Sequence, residues 1–329
     1  MAKRAGDSDS ARRSLAGNLI RIGTGFALLA ALYYWRVIDL AALNILVARP
    51  DILVLALAAS LANIPLEALR WHILLRAQGI DLRLWRTIRV LATSVFFANF
   101  LPGAAGGDLI RGVYVYRASP GRRAAAMLSI LIDRLIGLVA FVLLGLAAML
   151  TRPIGRGPLE LSVLALSALF IALLVLLFFY GHVMAQALQR LLRGRSARLA
   201  QVVDDTGGAL RQYVQDWRST GLAMLLSVVI VGFAVGPIVL IAEAMPFAGP
   251  NFVGPSAADY GIAGLYALIA NSLPVTPGGL GIGEGAFASA CLMLAPQAAH
   301  AAYGTIFLAF RCVFILSILP GLVAYLTES

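Results

Sequence analysis

A chain of 329 residues that is 60% hydrophobic and 13% charged, with a mean hydropathy of +0.88, predicts an all-α polytopic membrane protein. Two further observations refine that class. The apolar residues fall in runs of about 20, the length that crosses a hydrocarbon layer. The pattern Ala-Asn-x-Leu-Pro-x-x-x-Gly-Gly occurs twice, from Ala98 to Gly107 and from Ala270 to Gly279, with Asn271 lying 172 positions after Asn99. Proline ends a helix and glycine lets the backbone turn, so each copy breaks an apolar segment before the next helix begins. Helices broken at matched positions mark transporters built from internal repeats. The expected architecture is six full spans plus two re-entrant broken-helix hairpins in an inverted-repeat arrangement, about eight to ten helices if half-helices are counted.

Residues 1–17 form a basic tail carrying Lys3, Arg4, Arg12 and Arg13, and one transmembrane domain follows over 18–326. The first span, Leu19 to Trp35, ends on Tyr33, Tyr34 and Trp35, an interfacial anchor. No small-x-small cleavage site follows it, which favours a retained span over a signal peptide. The second span, Ile52 to Leu75, carries Glu67 and Arg70 in its last third, and Arg70 with Trp71 is expected to anchor its end at the interface. Val90 to Leu101 is too short to cross; with Pro102, a glycine loop and Leu109 to Tyr116 it reads as the first hairpin.

Ala124 to Leu150 is the third span, interrupted by Asp133 and Arg134, and Leu159 to Tyr180 is the fourth. Over 181–218, Val183, Ala187, Leu188, Leu191 and Leu192 recur at helical spacing among Gln and Arg, predicting a cytoplasmic amphipathic helix at or near the membrane surface. Gly221 to Ala244 is the fifth span. Ala257 to Leu273 and Gly285 to Leu294 make the second hairpin, and Ala301 to Leu326, with Arg311 inside it, closes the chain.

The formal charge of +10 comes almost wholly from arginine, since Lys3 is the only lysine. Lys and Arg number five up to Arg21, eight from Arg76 to Arg123 and six from Arg190 to Arg218, against two, two and none in the opposite loops. The basic side is the cytoplasm by the positive-inside rule, which places both termini there. This distribution indicates topology and contact with anionic lipid, and no nucleic-acid partner is expected. Three full spans separate the hairpins, so they enter from opposite faces, as inverted halves would. Cys291 and Cys312 lie in apolar runs, and His72, His182 and His300 have no ligand-like spacing. Neither a disulfide framework, a metal site nor a cofactor is expected.

A glycine turn opening a helix within the membrane presents bare N–H groups and the positive end of a helix dipole. Gly103, Gly106 and Gly107 precede a half-helix expected at Asp108, and Gly278, Gly279, Gly281 and Gly283 precede one at Glu284. A lipid phosphate suits such a place. Neither loop has nucleotide-binding spacing. The plainer reading makes Asp108 and Glu284 helix-capping acids worth roughly 1 kcal/mol. Asn99 and Asn271 would then satisfy backbone groups released by the prolines. Charges within spans are functional candidates by default, which selects Asp133, Arg134 and Arg311, with a structural ion pair as the alternative. For Asp133 the candidate partners are Arg111 and Arg311.

The motifs from Asn99 to Arg111, Asp133-Arg134, Arg70-Trp71 and Pro274 to Glu284 resemble the transmembrane domain family of lysylphosphatidylglycerol synthase/flippase proteins, which includes the membrane half of multiple peptide resistance factor. The likeness runs from roughly residue 15 to 326. It implies movement of a polar-headed lipid between leaflets of the bacterial cytoplasmic membrane, with Asn99, Asp108, Arg111, Asp133, Arg134 and Glu284 lining the lipid path. The family's soluble aminoacyl-transferring domain is absent from these 329 residues, so the expectation is a protein that is not an enzyme. Its cargo would be a phospholipid or a polyprenyl- or hopanoid-type lipid. The alternatives are a membrane-embedded lipid-modifying enzyme using Asp108 or Glu284 as base, and a scaffold docking a partner through 181–218.

Overall fold

A computed structural model describes residues 26–27, 29–100, 105–150, 168, 172, 176, 180, 183, 197–245, 254–272, 276–296 and 301–327. Among them there are helices and short connections and no strand. The main helices are α1 (Pro50–Ala77), α2 (Leu84–Phe100), α3 (Ala105–Ala118), α4 (Arg123–Leu150), α5 (Ala197–Gln215), α6 (Trp217–Ala244), α7 (Ala257–Asn271), α8 (Ile282–Leu294) and α9 (Gly304–Leu326). Four helices among the described residues are long and apolar enough to cross a membrane: Pro50–Ala77, Arg123–Ala148, Trp217–Ala244 and Gly304–Leu326. They match the second, third, fifth and sixth expected spans. Of the first expected span, residues 26–27 and 29–34 are described and helical. The tail 1–17, nearly all of the fourth span, the 184–196 part of the amphipathic segment and Gly103 lie outside the described residues.

The second motif copy interrupts the helical path: after α7 the chain passes through a tight turn at Pro277–Gly279 before α8 begins. At the first copy α2 is described to Phe100 and α3 from Ala105, and the break expected at Pro102 lies outside the described residues. At 1.5 Å per residue, α7 and α8, with 15 and 13 residues, reach about 22 and 20 Å, short of a 30 Å hydrocarbon layer. Among the four hairpin helices, three starts differ from expectation. Helix α2 starts at Leu84 because Arg86, Thr87 and Arg89, which lower the local hydropathy, are compatible with a helix. Helix α3 starts at Ala105, taking Gly106 and Gly107 into its first turn. Helix α8 starts at Ile282, three residues before the expected Gly285.

The chain divides into two compact units, Met1–Leu61 with Thr93–Asp108 and Ala234–Ser329, and Ala62–Ala92 with Leu109–Phe233. In the first, Ile238, Ile241, Tyr260, Ala263, Phe287, Cys291, Ile306 and Phe310 form a buried apolar core. Small residues allow close contact here: a Cβ on Gly264 would lie 3.3 Å from Ile238 Cδ1. Helix α7 opens with a reciprocal cap, in which Ser256 N donates to Asp259 Oδ2 (2.9 Å) and Asp259 N donates to Ser256 Oγ (3.3 Å). This satisfies amides that have no partner within the helix.

In the second unit, Leu74, Leu128, Ile132, Ile136, Ala209, Leu210 and Tyr213 form one cluster. The described part of the amphipathic segment, α5, therefore packs its apolar face against α1 and α4. It also closes the end of α1. Gln212 Nε2 donates to Ala77 O (2.7 Å) and Tyr213 Oη to Leu74 O (3.1 Å), satisfying carbonyls that a helix C-terminus leaves exposed. Burial pushes the Tyr213 phenol far above its ordinary range, so it remains a donor. Gly79, with φ of 64°, completes the stop: its N–H reaches Arg76 O and that of Ile80 reaches Leu75 O.

Candidate functional site

Two groups of buried charges stand out, one in each unit. In the unit Ala62–Ala92 with Leu109–Phe233, α4 carries Asp133, only 2% exposed. Its Oδ1 accepts from Arg70 Nε of α1 at 2.8 Å and its Oδ2 from Arg111 Nη2 of α3 at 2.9 Å. Arg70 Nη1 donates to Ser227 Oγ of α6 (3.0 Å), and Ser227 passes its own hydrogen to Ala223 O (2.8 Å). The Arg111 guanidinium lies over the Trp71 ring, 4.2 Å from its centroid, while Trp71 Nε1 donates to Ser129 Oγ at 3.1 Å. Gly137, one turn beyond Asp133, leaves room for Arg70, whose Nη1 would stand 3.2 Å from a Cβ there.

This geometry corrects the reading of Arg70 and Trp71 as an interfacial anchor. Both are buried, because Asp133 requires counter-charges and α1 supplies one directly. Of the two partners expected for Asp133, Arg111 is present; Arg311 is engaged by Glu284. Arg134 is exposed, on another side of α4 from its neighbour. Glu67, one turn before Arg70, accepts from Asn63 Nδ2 at 3.1 Å. The group thus holds two guanidiniums around one carboxylate, with a second acid a turn away. The sequence signal for Arg70 was available in the rule that a charge within a span is functional; its position late in the run masked it.

In the unit Met1–Leu61 with Thr93–Asp108 and Ala234–Ser329, Arg311 of α9 clamps the second glycine turn. Its Nε donates to Glu284 Oε1 (2.6 Å), and its Nη2 reaches Glu284 Oε2 (3.2 Å), Asn271 Oδ1 (2.9 Å) and Gly279 O (3.1 Å). Its Nη1 donates to Gly278 O. Glu284, fully buried, also accepts from Gly281 N at 2.8 Å through Oε2. This amide was expected to be bare for a phosphate. The helix instead carries its own anion there, as the capping reading of Glu284 anticipated. Asn271, expected to satisfy backbone groups released by the prolines, accepts from Arg311 through Oδ1.

The turn depends on glycine for conformation and space. Gly278, Gly279 and Gly281 have φ of 58°, 69° and 82°, angles that side chains disfavour. A Cβ on Gly279 would collide with Asn271 Oδ1, and one on Gly278 would lie 3.3 Å from Asn99 O. The two motif copies therefore meet at Asn99 and Gly278. Asn99 donates from Nδ2 to Val95 O, one turn back in α2, at 2.9 Å. Gly107 is a packing glycine: a Cβ there would lie 2.5 Å from Ser94 O, and Ser94 Oγ donates to Gly107 O at 2.7 Å. Gly106 shares that first turn of α3, and Asp108, also in the turn, is half-buried.

The arrangement separates roles. The Arg311 group consumes its charges in holding a turn, whereas the Arg70–Asp133–Arg111 group collects guanidiniums that match a phosphate in geometry and charge. Comparison with known proteins agrees with a membrane assignment. The chain is 22% identical over 155 residues to the UPF0104 membrane protein PH1989 of Pyrococcus horikoshii, an alignment covering 46% of this chain and 46% of that protein. The chain thus matches less than half the length of this curated relative. No solved structure matches it. The model of the lysylphosphatidylglycerol synthase TM region matches residues 19–321, nearly the whole length, and the chain belongs to that membrane family.

Proposed function

We propose that this protein is a flippase, moving a phosphate-bearing lipid between the leaflets of the bacterial cytoplasmic membrane, with both termini in the cytoplasm. The observation that carries this reading is Asp133 held between Arg70 and Arg111, buried among helices of which α1 and α4 have crossing length. Buried ion pairs are often replaceable by apolar residues without loss of stability, so stability alone explains this group poorly. A translocation path explains it better. An arriving phosphate competes with Asp133 for the two guanidiniums, and Asp133 takes them back when the headgroup leaves. The broken-helix segments, acting as inverted halves, change the exposure of the headgroup by rocking.

On this reading the chain is a transporter and not an enzyme; of the two candidate bases, Glu284 is engaged by Arg311. The cargo is a phospholipid or a polyprenyl-linked phosphate. The test uses proteoliposomes containing tail-labelled phosphatidylglycerol or a labelled polyprenyl phosphate, with quenching of outer-leaflet label. The wild type should accelerate exchange of at least one probe over protein-free vesicles. Arg111→Gln and Asp133→Asn, recovered as monodisperse protein, should slow it about tenfold, the equivalent of 1.4 kcal/mol. Exchange no faster than in protein-free vesicles for both probes, or unaffected by both substitutions, overturns the proposal.

A further inference from the structure

An open cavity of about 350 Å³ lies along α3 and α4, lined by Leu109, Gly112, Val113, Tyr116, Arg117 and Met127. On α3 the lining positions are separated by three, four, seven and eight residues from Leu109, which puts them on one stripe of the helix. At 1.5 Å per residue the stripe from Leu109 to Arg117 runs about 12 Å. Its apolar members point outward, Leu109 being 66% and Val113 51% exposed. Gly112 deepens the channel: a Cβ there would lie 3.2 Å from Met127 Cε and 3.4 Å from Met127 Sδ.

One end of this stripe is basic. Arg117 is exposed, and the Arg123 guanidinium stands over the Tyr116 ring, 4.5 Å from its centroid. Arg122 donates to Gln78 O. From α2, Arg86 lies 5.3 Å from the centroid of Tyr114. Arg111, on the same helix, is taken up by Asp133, but no ion pair to a described carboxylate holds Arg117 or Arg123. An apolar channel with these two guanidiniums at its end fits one kind of occupant, a lipid whose headgroup is an anion.

We infer that this channel is a lateral site for an anionic phospholipid, with an acyl chain laid along Leu109, Val113 and Met127 and the phosphate held by Arg117 and Arg123. The site stands apart from the buried Arg70–Asp133–Arg111 group and does not depend on translocation. It predicts retention of this lipid at the protein surface whether or not the protein moves its cargo.

The test compares phosphatidylglycerol and phosphatidylcholine, each with a photoactivatable diazirine in mid-chain, added to the full chain in nanodiscs of otherwise neutral lipid. Crosslinks are mapped by mass spectrometry. Phosphatidylglycerol should label the 109–127 peptide well above phosphatidylcholine. Arg117→Gln and Arg123→Gln should each reduce the excess about fivefold, and Gly112→Leu, which fills the channel floor, should reduce it in a monodisperse protein. The double arginine variant should keep whatever lipid exchange the wild type shows, which separates this site from the translocation path. Equal labelling by the two lipids, or phosphatidylglycerol labelling that ignores the arginine substitutions, overturns the inference.

Discussion

Asparagine in place of Asp133 keeps the side-chain volume and removes the negative charge between Arg70 and Arg111. The carboxylate now accepts one hydrogen bond on each oxygen, at 2.8 and 2.9 Å. Asparagine offers one acceptor oxygen and turns an NH2 group toward the other arginine, so one bond becomes neutral-acceptor and the second becomes a clash of donors. Charge-assisted bonds contribute about 1.5 to 3 kcal/mol each, and removing one member of a buried pair costs about 3 to 5 kcal/mol. Asp133→Asn is therefore expected to lower stability by about 3 to 5 kcal/mol. Reversible unfolding in mixed micelles, followed by helical circular dichroism against mole fraction of denaturing detergent, measures the change. A cycle with Arg111→Met tests the cause: once Asp133 is gone, removing a stranded guanidinium should hurt less than in the wild type. The double variant should then fall short of the summed losses by at least about 1 kcal/mol. A loss below about 1 kcal/mol for Asp133→Asn, or additivity within about 0.5 kcal/mol, refutes the reasoning.

Three other outcomes follow from the geometry. Arg311→Lys keeps the charge but cannot reach Glu284, Asn271 and the turn carbonyls together, so hydrogen exchange by mass spectrometry should show faster exchange over 276–284 than in the wild type. Gly279→Ala, forced into φ of 69° against Asn271, should cost more than about 1 kcal/mol, while Gly145→Ala, with no atom of the described residues within 4 Å, should gain up to about 1 kcal/mol; detergent unfolding midpoints should move in opposite directions. Tyr213→Phe removes one donor from Leu74 O and should cost about 0.5 to 1.5 kcal/mol in the same assay.

Legibility in the sequence followed the range of the interaction. The four crossing helices were readable because hydrophobicity over 20 residues reports the solvent of a segment directly. The break between α7 and α8 was readable because Pro277 and the glycines after it act on their own turn of the chain. The capping reading of Glu284, one of the two the sequence left open, rested on its place after Gly281 and Gly283, another local relation. Harder were the ends of α2 and α3. Arg86 and Arg89 lower hydropathy without opposing a helix, and Gly107 looked like loop until Ser94 and Ala98 were seen pressed against it.

The charges show the other limit. Composition placed Asp133, Arg134 and Arg311 within apolar runs, where a charge needs compensation because hydrocarbon does not solvate an ion. It did not establish with what. Arg70 and Asp133 are separated by 63 residues and Glu284 and Arg311 by 27, and Asn99 approaches Gly278 across the two motif copies. The sequence by itself determined a membrane chain, four crossing helices and the interruption between α7 and α8, since each depends on residues adjacent in the chain. Only the tertiary structure decided which guanidinium answers which carboxylate, because Coulomb and hydrogen-bond energies depend on separation in space after helices have packed, and the order of residues does not record that separation.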